Sequence, residues 1–270
     1  MTPPPPSRDW AALCWPDLDR DAAASLIAVL PLAATEQHGP HLPLGTDTLI
    51  AEAYLARVRT LLPPDSPAVF LPVQPVGIST EHTDYPGTLT LPPAAALATW
   101  TALGEAVARA GLRRLVMVTS HGGNSAAMLL VAQELRARHR MLAVTTSWAR
   151  LSSPEGAFAP EEIRDGIHGG AIETSIMLAA WPQHVRRAAV ADFASATREH
   201  AFRRLSIGRP APYAWQAQDL HPHGAVGDAT LASADAGERL IDHGARAFCE
   251  LLEDVARFDP AAFDRPPPGA

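Results

Sequence analysis

Residues 35–48 concentrate side chains that could bind a metal ion. The stretch contains Glu36, His38, His41 and Asp47 directly after an apolar run. Glu36 and His38 are two residues apart, so an extended backbone would direct both side chains to one face, and Asp47 follows at the predicted start of a helix. Carboxylates and imidazoles are ligands that divalent metals use in proteins. The pattern predicts a metallohydrolase.

Two further motifs are predicted to join this metal site. His121 follows the apolar run at residues 115–119, and the glycines after it let the backbone turn sharply toward a ligand. Glu173 lies on the first turn of a predicted helix. Asp47 alone could be a helix N-cap, and Glu173 alone a carboxylate favoured by the helix dipole. Because the motifs occur together, we predict five ligands: Glu36, His38, Asp47, His121 and Glu173.

His41 is expected to be structural rather than a ligand, because Pro40 and Pro43 constrain its backbone separately.

A different group of residues is predicted to contact substrate. The polar loop at residues 79–88 either contacts substrate or is an ordinary surface loop, and the two alternatives are equal. Trp148 either lines the substrate pocket or is an ordinary core aromatic, and these are equal as well. The substrate candidates are Glu81, His82, Tyr85, Gly122, Gly123, Asn124 and Trp148, with Trp215 and His223 as further wall candidates.

The elements that must position these residues alternate between strands and helices. Predicted strands at residues 26–32, 69–76, 115–119 and 142–147 are apolar runs that suit a buried parallel sheet. Predicted helices at residues 47–62, 94–110, 124–139, 171–180 and 233–258 show helical periodicity. This alternation indicates an α/β fold with a mostly parallel sheet, whose active site forms at the carboxyl ends of the strands.

The length of 270 residues fits one catalytic domain, predicted at residues 25–258. Residues 1–24 and 259–270 are predicted tails, frayed or draped, because prolines at 3–6 and 266–268 disfavour regular structure. The first residues lack the pattern of a signal peptide, and no apolar stretch approaches the length of a spanning helix.

The net charge and the cysteine content limit which binding partners and which cellular compartment we expect. A formal net charge of −7 gives no electrostatic footprint for nucleic acid or an anionic membrane. Cys14 and Cys249 lie near opposite ends of the chain and form neither a disulfide framework nor a thiolate cluster for a metal. We expect a small-molecule or short-peptide substrate and a reducing cytoplasm.

Taken together, the motifs resemble the creatininase (creatinine amidohydrolase) family. The resemblance is carried in order by residues 35–48, 120–125, 168–175 and 227–234. It implies a three-layer α/β/α fold, a dinuclear metal centre, hydrolysis of a carbon–nitrogen amide bond and a homo-oligomer, usually a hexamer. It also implies that Glu36 and His121 bind one metal, that His38 binds the other, and that Asp47 bridges the two.

One position departs from the creatinine hydrolases of this family. They carry His-Tyr-Glu where this chain has His121-Gly122-Gly123, so their carboxylate ligand to the second metal is missing here. The His-Gly-Gly-Asn form is similar to a broader branch that includes the peptidase of mycofactocin maturation and a formamide hydrolase of deazaflavin biosynthesis. Glu173 is the candidate for the empty position, as ligand, base or both. The departure argues against creatinine as substrate.

The expected chemistry is amide hydrolysis by a metal-activated water. A metal can lower the pKa of bound water from 15.7 to about 7, and a second metal can polarise the carbonyl oxygen. His168, on a glycine turn, is placed to protonate the departing nitrogen, a role that the resemblance also implies. A ligand set without thiolate suits zinc, manganese or iron. We expect two divalent ions, with zinc as the first choice, alone or paired with manganese. Manganese or iron in place of zinc is the alternative.

The predicted substrate is a small cyclic amide, a formamide or a short peptide. One alternative is a metal-dependent hydrolase or lyase of lactone or sugar-like substrates, since fold and metal do not determine the bond that is cleaved. The other is a structural metal site that stabilises an oligomer without catalysis, in which protein ligands would fill every coordination position.

Overall fold

The sheet places two strand ends side by side at the centre of the molecule. A computed structural model describes residues 6–18, 23–152, 156–199, 202–208 and 210–264. Its main sheet has four parallel strands in the order β2-β1-β3-β4: β1 Ile27–Leu32, β2 Ala68–Phe70, β3 Arg114–Thr119 and β4 Leu142–Ser147. Leu32 pairs with Thr119 at the carboxyl ends of the two central strands. The segments that follow these ends therefore enter the same region.

Helices and short strands complete the described part of the chain. The helices are α1 Thr46–Leu61, α2 Pro93–Arg109, α3 Ser125–His139, α4 Trp148–Leu151, α5 Pro160–Asp165, α6 Ala171–Ala180, α7 Ala217–Leu220 and α8 Ala234–Arg257. The two-residue strands are β5 Asp192–Phe193, β6 Leu205–Ser206, β7 Ala211–Pro212 and β8 Gly227–Asp228; β5 pairs with β8 antiparallel, and β6 with β7 parallel. Among the described residues, no helix has the length and apolarity needed to cross a membrane.

Side chains of the central strands alternate between two helical layers. Ile27 and Val29 belong to the core shared with α1, α6 and α8. Ala28 and Leu30 belong to the core shared with α2 and α3. Successive strand residues point to opposite faces, so each face of the sheet is covered by helices. The predicted three-layer α/β/α fold is confirmed.

The predicted long helices and three of the predicted strands begin and end within one residue of the observed elements. The exception is the strand predicted at residues 69–76, which is wrong in length because β2 ends at Phe70. Pro72 just beyond β2 and Pro31 in β1 have no N–H to donate. Backbone bonding across this gap resumes at Gln74, whose N–H donates to the Pro31 carbonyl at 3.0 Å.

The described parts of the predicted tails lie against the domain. Asp9 forms a bridge with Phe70 and accepts a 2.6 Å bond from Arg59 Nη2. Near the other end, Asp264 forms an ion pair with Arg113 at 3.0 Å. Both segments are draped over the domain in these contacts. The prolines at 3–5 and 266–268 lie outside the described residues.

A close approach between α6 and α8 fixes the helix that carries Glu173. A Cβ atom on Gly237 of α8 would lie 2.0 Å from the carbonyl oxygen of Ser175 in α6. The obstacle is backbone, which cannot rotate aside as a side chain can. Glycine at 237 therefore sets the distance between the two helices, and with it the position of the first turn of α6.

We expect Gly237→Ala to destabilise the protein by about 1–3 kcal/mol through overpacking. At an ordinary helix position the same substitution would stabilise the protein, because alanine is a better helix former than glycine by about 1 kcal/mol. The free energy of unfolding in urea measures the effect. Gly208→Ala is the matched control, because a Cβ there meets no atom within 4 Å. An unchanged or higher stability for Gly237→Ala would contradict the packing described here.

Candidate metal centre

The predicted ligands converge from four separate elements. Glu36 and His38 follow the end of β1, and His121 follows the end of β3. Asp47 and Glu173 lie on the first turns of α1 and α6, where the helix dipole favours a carboxylate. Among the described residues, potential ligand atoms lie within 4.8 Å of one another in three groups: Glu36, Asp47 and His121; His38, Asp47 and Glu173; and Glu36, His38 and His168.

Asp47 lies between the first two groups. Its Oδ2 atom is 3.9 Å from His121 Nδ1 and 3.7 Å from His38 Nε2. On one side, His121 Nδ1 is 3.1 Å from Glu36 Oε1; on the other, His38 Nε2 is 3.8 Å from Glu173 Oε2. Two ligands of one tetrahedral zinc, each about 2.1 Å from the ion, are separated by about 3.4 Å. The atoms are thus spaced as ligands to shared ions would be.

Four buried atoms that face the cluster have no hydrogen-bond partner among the described residues: Glu36 Oε1 and Oε2, His38 Nε2 and Asp47 Oδ2. Buried polar groups are rarely left unpaired, and an uncompensated buried charge is strongly destabilising. Divalent cations would satisfy all four atoms at once. The residues present therefore fit a metal centre.

Backbone carbonyls determine which nitrogen of each ligand histidine faces the cluster. His121 Nε2 donates to the carbonyl of Ile78 at 2.6 Å, which leaves Nδ1 toward Glu36. His38 Nδ1 donates to the carbonyl of Glu36 at 3.1 Å, which leaves Nε2 toward Asp47. Such outer contacts fix the tautomer and ring orientation of metal-binding histidines. In its neutral form, each ring would present a lone pair to the cluster.

The turn after His168 brings a further imidazole and Glu173 to the same place. His168 Nε2 donates to the carbonyl of Gln37 at 2.6 Å, and its Nδ1 lies 3.7 Å from Glu36 Oε1. Gly169 has a φ of 63°, a conformation that favours glycine, and its N–H donates to Glu173 Oε2 at 2.6 Å. The glycine turn thus holds both side chains at the cluster.

Glu162, a buried carboxylate that was not among the predicted site residues, supports this turn. Glu162 in α5 accepts a bond from Ala171 N at 2.9 Å and another from Asp228 N at 3.0 Å. It therefore ties the start of α6 to β8. A Cβ on Gly170 or on Gly227 would lie 2.7 Å from Glu162 Oε1, which explains two of the glycines in the motifs.

Burial and mutual repulsion perturb the ionisation of the cluster. Burial raises the pKa of Asp47 well above its usual range, and the adjacent Glu36 raises it further. Burial also raises the pKa of Glu173. Burial acts to lower the pKa of His121, but Glu36 outweighs it and the net pKa is raised to about 10. Burial also acts to raise the pKa of Glu36, but His121, His82 and His168 outweigh it and hold that pKa well below its usual range. Asp47 and Glu173 therefore resist ionisation beside an ionised Glu36, and bound cations would remove that resistance.

A cavity of about 500 Å³ opens onto this cluster. Most of the predicted substrate residues line it, namely Glu81, His82, Gly122, Gly123 and Trp148, together with Trp215. Two of the predicted substrate residues, Tyr85 and Asn124, are not among the described residues that line this cavity. Tyr85 lies at a separate cavity of about 300 Å³ with His223, and its hydroxyl donates to the carbonyl of Pro222 at 3.1 Å. Asn124 is fully buried and donates to the carbonyl of Ala33 at 3.0 Å.

Gly123 is required by its surroundings. A Cβ there would lie 2.4 Å from His121 Nε2 and 2.7 Å from Glu81 Oε1. The carboxylate that is missing at position 123 would have no room in this chain. Glu81, from the loop after β2, places Oε1 3.5 Å from His121 Nε2, the ring nitrogen that is turned away from the cluster.

Gln37 is a site residue that the sequence did not reveal. Its side-chain Nε2 donates to His82 Nδ1 at 2.7 Å and to the carbonyl of Gly224 at 2.9 Å. This orients His82, whose Nε2 lies 3.3 Å from Glu36 Oε1. An amide between Glu36 and His38 carries no chemical signal in the sequence, since its partners come from distant loops.

His41 lies behind the cluster rather than in it. Its Nε2 and Thr174 Oγ1 share a hydrogen bond of 2.9 Å, and its ring stacks on Phe193 with centroids 5.1 Å apart. Burial lowers its pKa to about 4. His41 is absent from the three groups of potential ligand atoms among the described residues.

The chain is similar to known proteins over most of its length. Residues 11–252 match the creatininase family profile, described as creatinine amidohydrolase. The chain is 32% identical to the mycofactocin precursor peptide peptidase of Mycobacterium ulcerans (strain Agy99), over 86% of this chain and 85% of that protein. It is 28% identical to the creatinine amidohydrolase of Pseudomonas putida, over 90% and 95%. A crystal structure of creatinine amidohydrolase superposes with a TM-score of 0.77 at 25% identity, over 94% of this chain and all of that one.

We expect chelation to lower the melting temperature and added zinc or manganese to restore it. Saturation at 100 times the Kd stabilises a protein by about 2.7 kcal/mol. Asp47→Asn should raise the melting temperature of the chelated protein, because it removes a buried unpaired carboxylate, and should abolish the increase on adding metal. Differential scanning calorimetry measures both effects. The control is Asp65→Asn, at an exposed aspartate; an intact metal response in Asp47→Asn would refute the assignment.

Proposed function

The chain belongs to the creatininase family of amidohydrolases, and we propose that it hydrolyses a carbon–nitrogen amide bond with two divalent metal ions. The observation that carries this proposal is Asp47 Oδ2, a buried oxygen without a hydrogen bond that lies between His121 Nδ1 and His38 Nε2. That position suits a carboxylate shared by two ions. Glu36 and His121 would hold one ion together with Asp47, and His38 and Glu173 would hold the other.

Zinc is the proposed metal, alone or paired with manganese, and iron is the remaining alternative. Imidazole and carboxylate ligands without thiolate suit all three. A manganese form and a Zn–Zn form of creatininase have been solved, which supports the first two for this family member. When bound, the metals would supply a water that is nucleophilic at neutral pH and a Lewis acid for the carbonyl oxygen.

The protein's own contribution to the reaction is orientation and proton transfer. His168 Nδ1 is directed toward the cluster because Nε2 donates to the Gln37 carbonyl. From there His168 would accept the proton that water releases and deliver it to the departing nitrogen. Glu173, held by the N–H of Gly169, serves as a ligand and stays the second candidate for the base.

A short peptide, a formamide or another amide is proposed as substrate in preference to creatinine. Gly123 leaves no room for the side chain that creatinine hydrolases carry there. The relatives above 30% identity are named as peptidases of a precursor peptide, which supports a peptide. A structural metal site is less well supported, because a 500 Å³ cavity opens onto the cluster, as an open coordination position requires. The hexamer and the cytoplasmic location stay predictions.

The function is tested by assaying a panel of amides and short peptides beside matched lactones. We expect amide hydrolysis that disappears with chelator and returns with metal, and that falls by at least about 100-fold in Glu36→Gln because a ligand is lost. Glu134→Gln, on the exposed face of α3, is the matched control. Full amidase activity in Glu36→Gln would overturn the assignment, and turnover confined to lactones would favour the rival class of reaction.

His168→Gln separates proton transfer from metal binding. We expect kcat to fall by about 10²–10⁴-fold while both metals remain bound, as measured by elemental analysis. The loss should be smaller for an anilide with an electron-withdrawing substituent, because its nitrogen leaves more readily without a proton. His184→Gln, at an exposed histidine, should behave as wild type. Loss of one metal ion from His168→Gln would instead make this residue a ligand.

A further inference from the structure

We propose that the cavity beside the cluster binds a large apolar group, aromatic or branched aliphatic, attached next to the scissile amide. This inference rests on the proposed amidase function and specifies its substrate class. It draws on the part of the cavity that the hydrolytic chemistry does not use. That part is formed by α1, α4, α6 and the rim at residues 157–167.

The face of α1 that carries Asp47 continues as an apolar wall. Asp47, Ile50 and Tyr54 all line the cavity, and their spacing of three and then four residues places them along one helix face. With a rise of 1.5 Å per residue, Tyr54 lies about 10 Å along the helix axis from Asp47. Ile50 and Tyr54 are 3% and 1% exposed, so they close the inner end of the cavity behind its more open rim.

Helix α6 also combines a proposed metal ligand with apolar side chains that line the cavity. In α6, Ile172 and Ile176 line the cavity beside Glu173, and α1 and α6 contribute to one hydrophobic core. Leu240 of α8 also lines the cavity. Each of the two helices thus presents a proposed metal ligand followed by apolar side chains. A group attached to an amide at the cluster would enter between them.

Two stacked aromatic rings make the wall rigid. Tyr54 and Trp148 stack with centroids 4.5 Å apart and an interplanar angle of 4°, and Trp148 packs against Phe248 at 4.9 Å. Trp148 is therefore both a core aromatic and a cavity wall. A preformed surface of this kind binds an apolar group without first being ordered.

Apolar side chains at the rim are only half covered by the protein. Ile163 is 46% exposed and Ile167 is 40% exposed, and both line the cavity. An apolar substrate group would remove them from water, and each buried CH₂ contributes about 0.8 kcal/mol. A small polar ring would leave most of this surface in contact with water.

A hydroxamate series tests the subsite without depending on turnover. The hydroxamate chelates metal, so the anchor stays constant while the attached group changes from methyl to isobutyl to benzyl, with a carboxyethyl group as the polar control. In calorimetry with the metal-loaded full chain, we expect the Kd to fall by about 10–200-fold from methyl to benzyl. The carboxyethyl compound should bind no more tightly than the methyl one.

The outcomes separate the two proposals. If every hydroxamate binds with equal affinity, the apolar subsite is refuted and the metal centre stands. If none binds to the metal-loaded protein, the proposed function itself fails. Preference for the carboxyethyl compound would also refute the subsite.

Substitutions at the rim test whether the apolar group of the hydroxamate binds there. Ile167→Ser and Ile163→Ser replace partly exposed side chains, and each should reduce the benzyl-to-methyl affinity ratio by about 3- to 10-fold. Leu129→Ser is the matched control, since Leu129 on α3 is 58% exposed and lies outside the cavity lining. A ratio unchanged in both rim variants, or equally reduced in Leu129→Ser, would contradict the location.

Discussion

The described structure depends on the concentration of unpaired carboxylate and imidazole atoms at one edge of a buried sheet. Glu36, Asp47 and His38 are almost completely buried, and their facing atoms have no hydrogen-bond partner within the described residues. That arrangement needs compensating positive charge, from protonation or from a bound cation, because desolvated charges of like sign repel each other strongly. Much of the surrounding architecture holds these atoms close together in spite of that repulsion.

The supporting contacts come from backbone more than from side chains. Carbonyl groups hold His121, His38 and His168 by one ring nitrogen each, and glycines at 169 and 237 let the turn and helix of Glu173 approach. Backbone groups in regular structure move little, so the ligand positions are largely preorganised. Fixed donors and acceptors of this kind require less rearrangement when a ligand binds.

Much of the fold was predictable from the sequence because each long element is locally consistent. Apolar runs of strand length and helical periodicity coincide with turn signals, which also located Glu36, His38, Asp47, His121 and Glu173 near one sheet edge. The predicted length of β2 was wrong although Pro72, which cannot donate to a strand ladder, lies within the predicted strand. Other signals were missing because the partner lies far along the chain. Gln37 and Glu162 acquire their roles only through contacts with distant loops.

The packing around Gly123 has a consequence for moving its loop into another protein. A Cβ atom there would lie 2.4 Å from both the Ile78 carbonyl oxygen and His121 Nε2, and 2.7 Å from Glu81 Oε1. Removing the Glu81 side chain alone would therefore leave no room for a side chain at 123, because the Ile78 carbonyl belongs to the backbone. The loop that carries Gly123 and the loop after β2 form one structural unit, and a graft that transferred only one of them would have to move the backbone of the other.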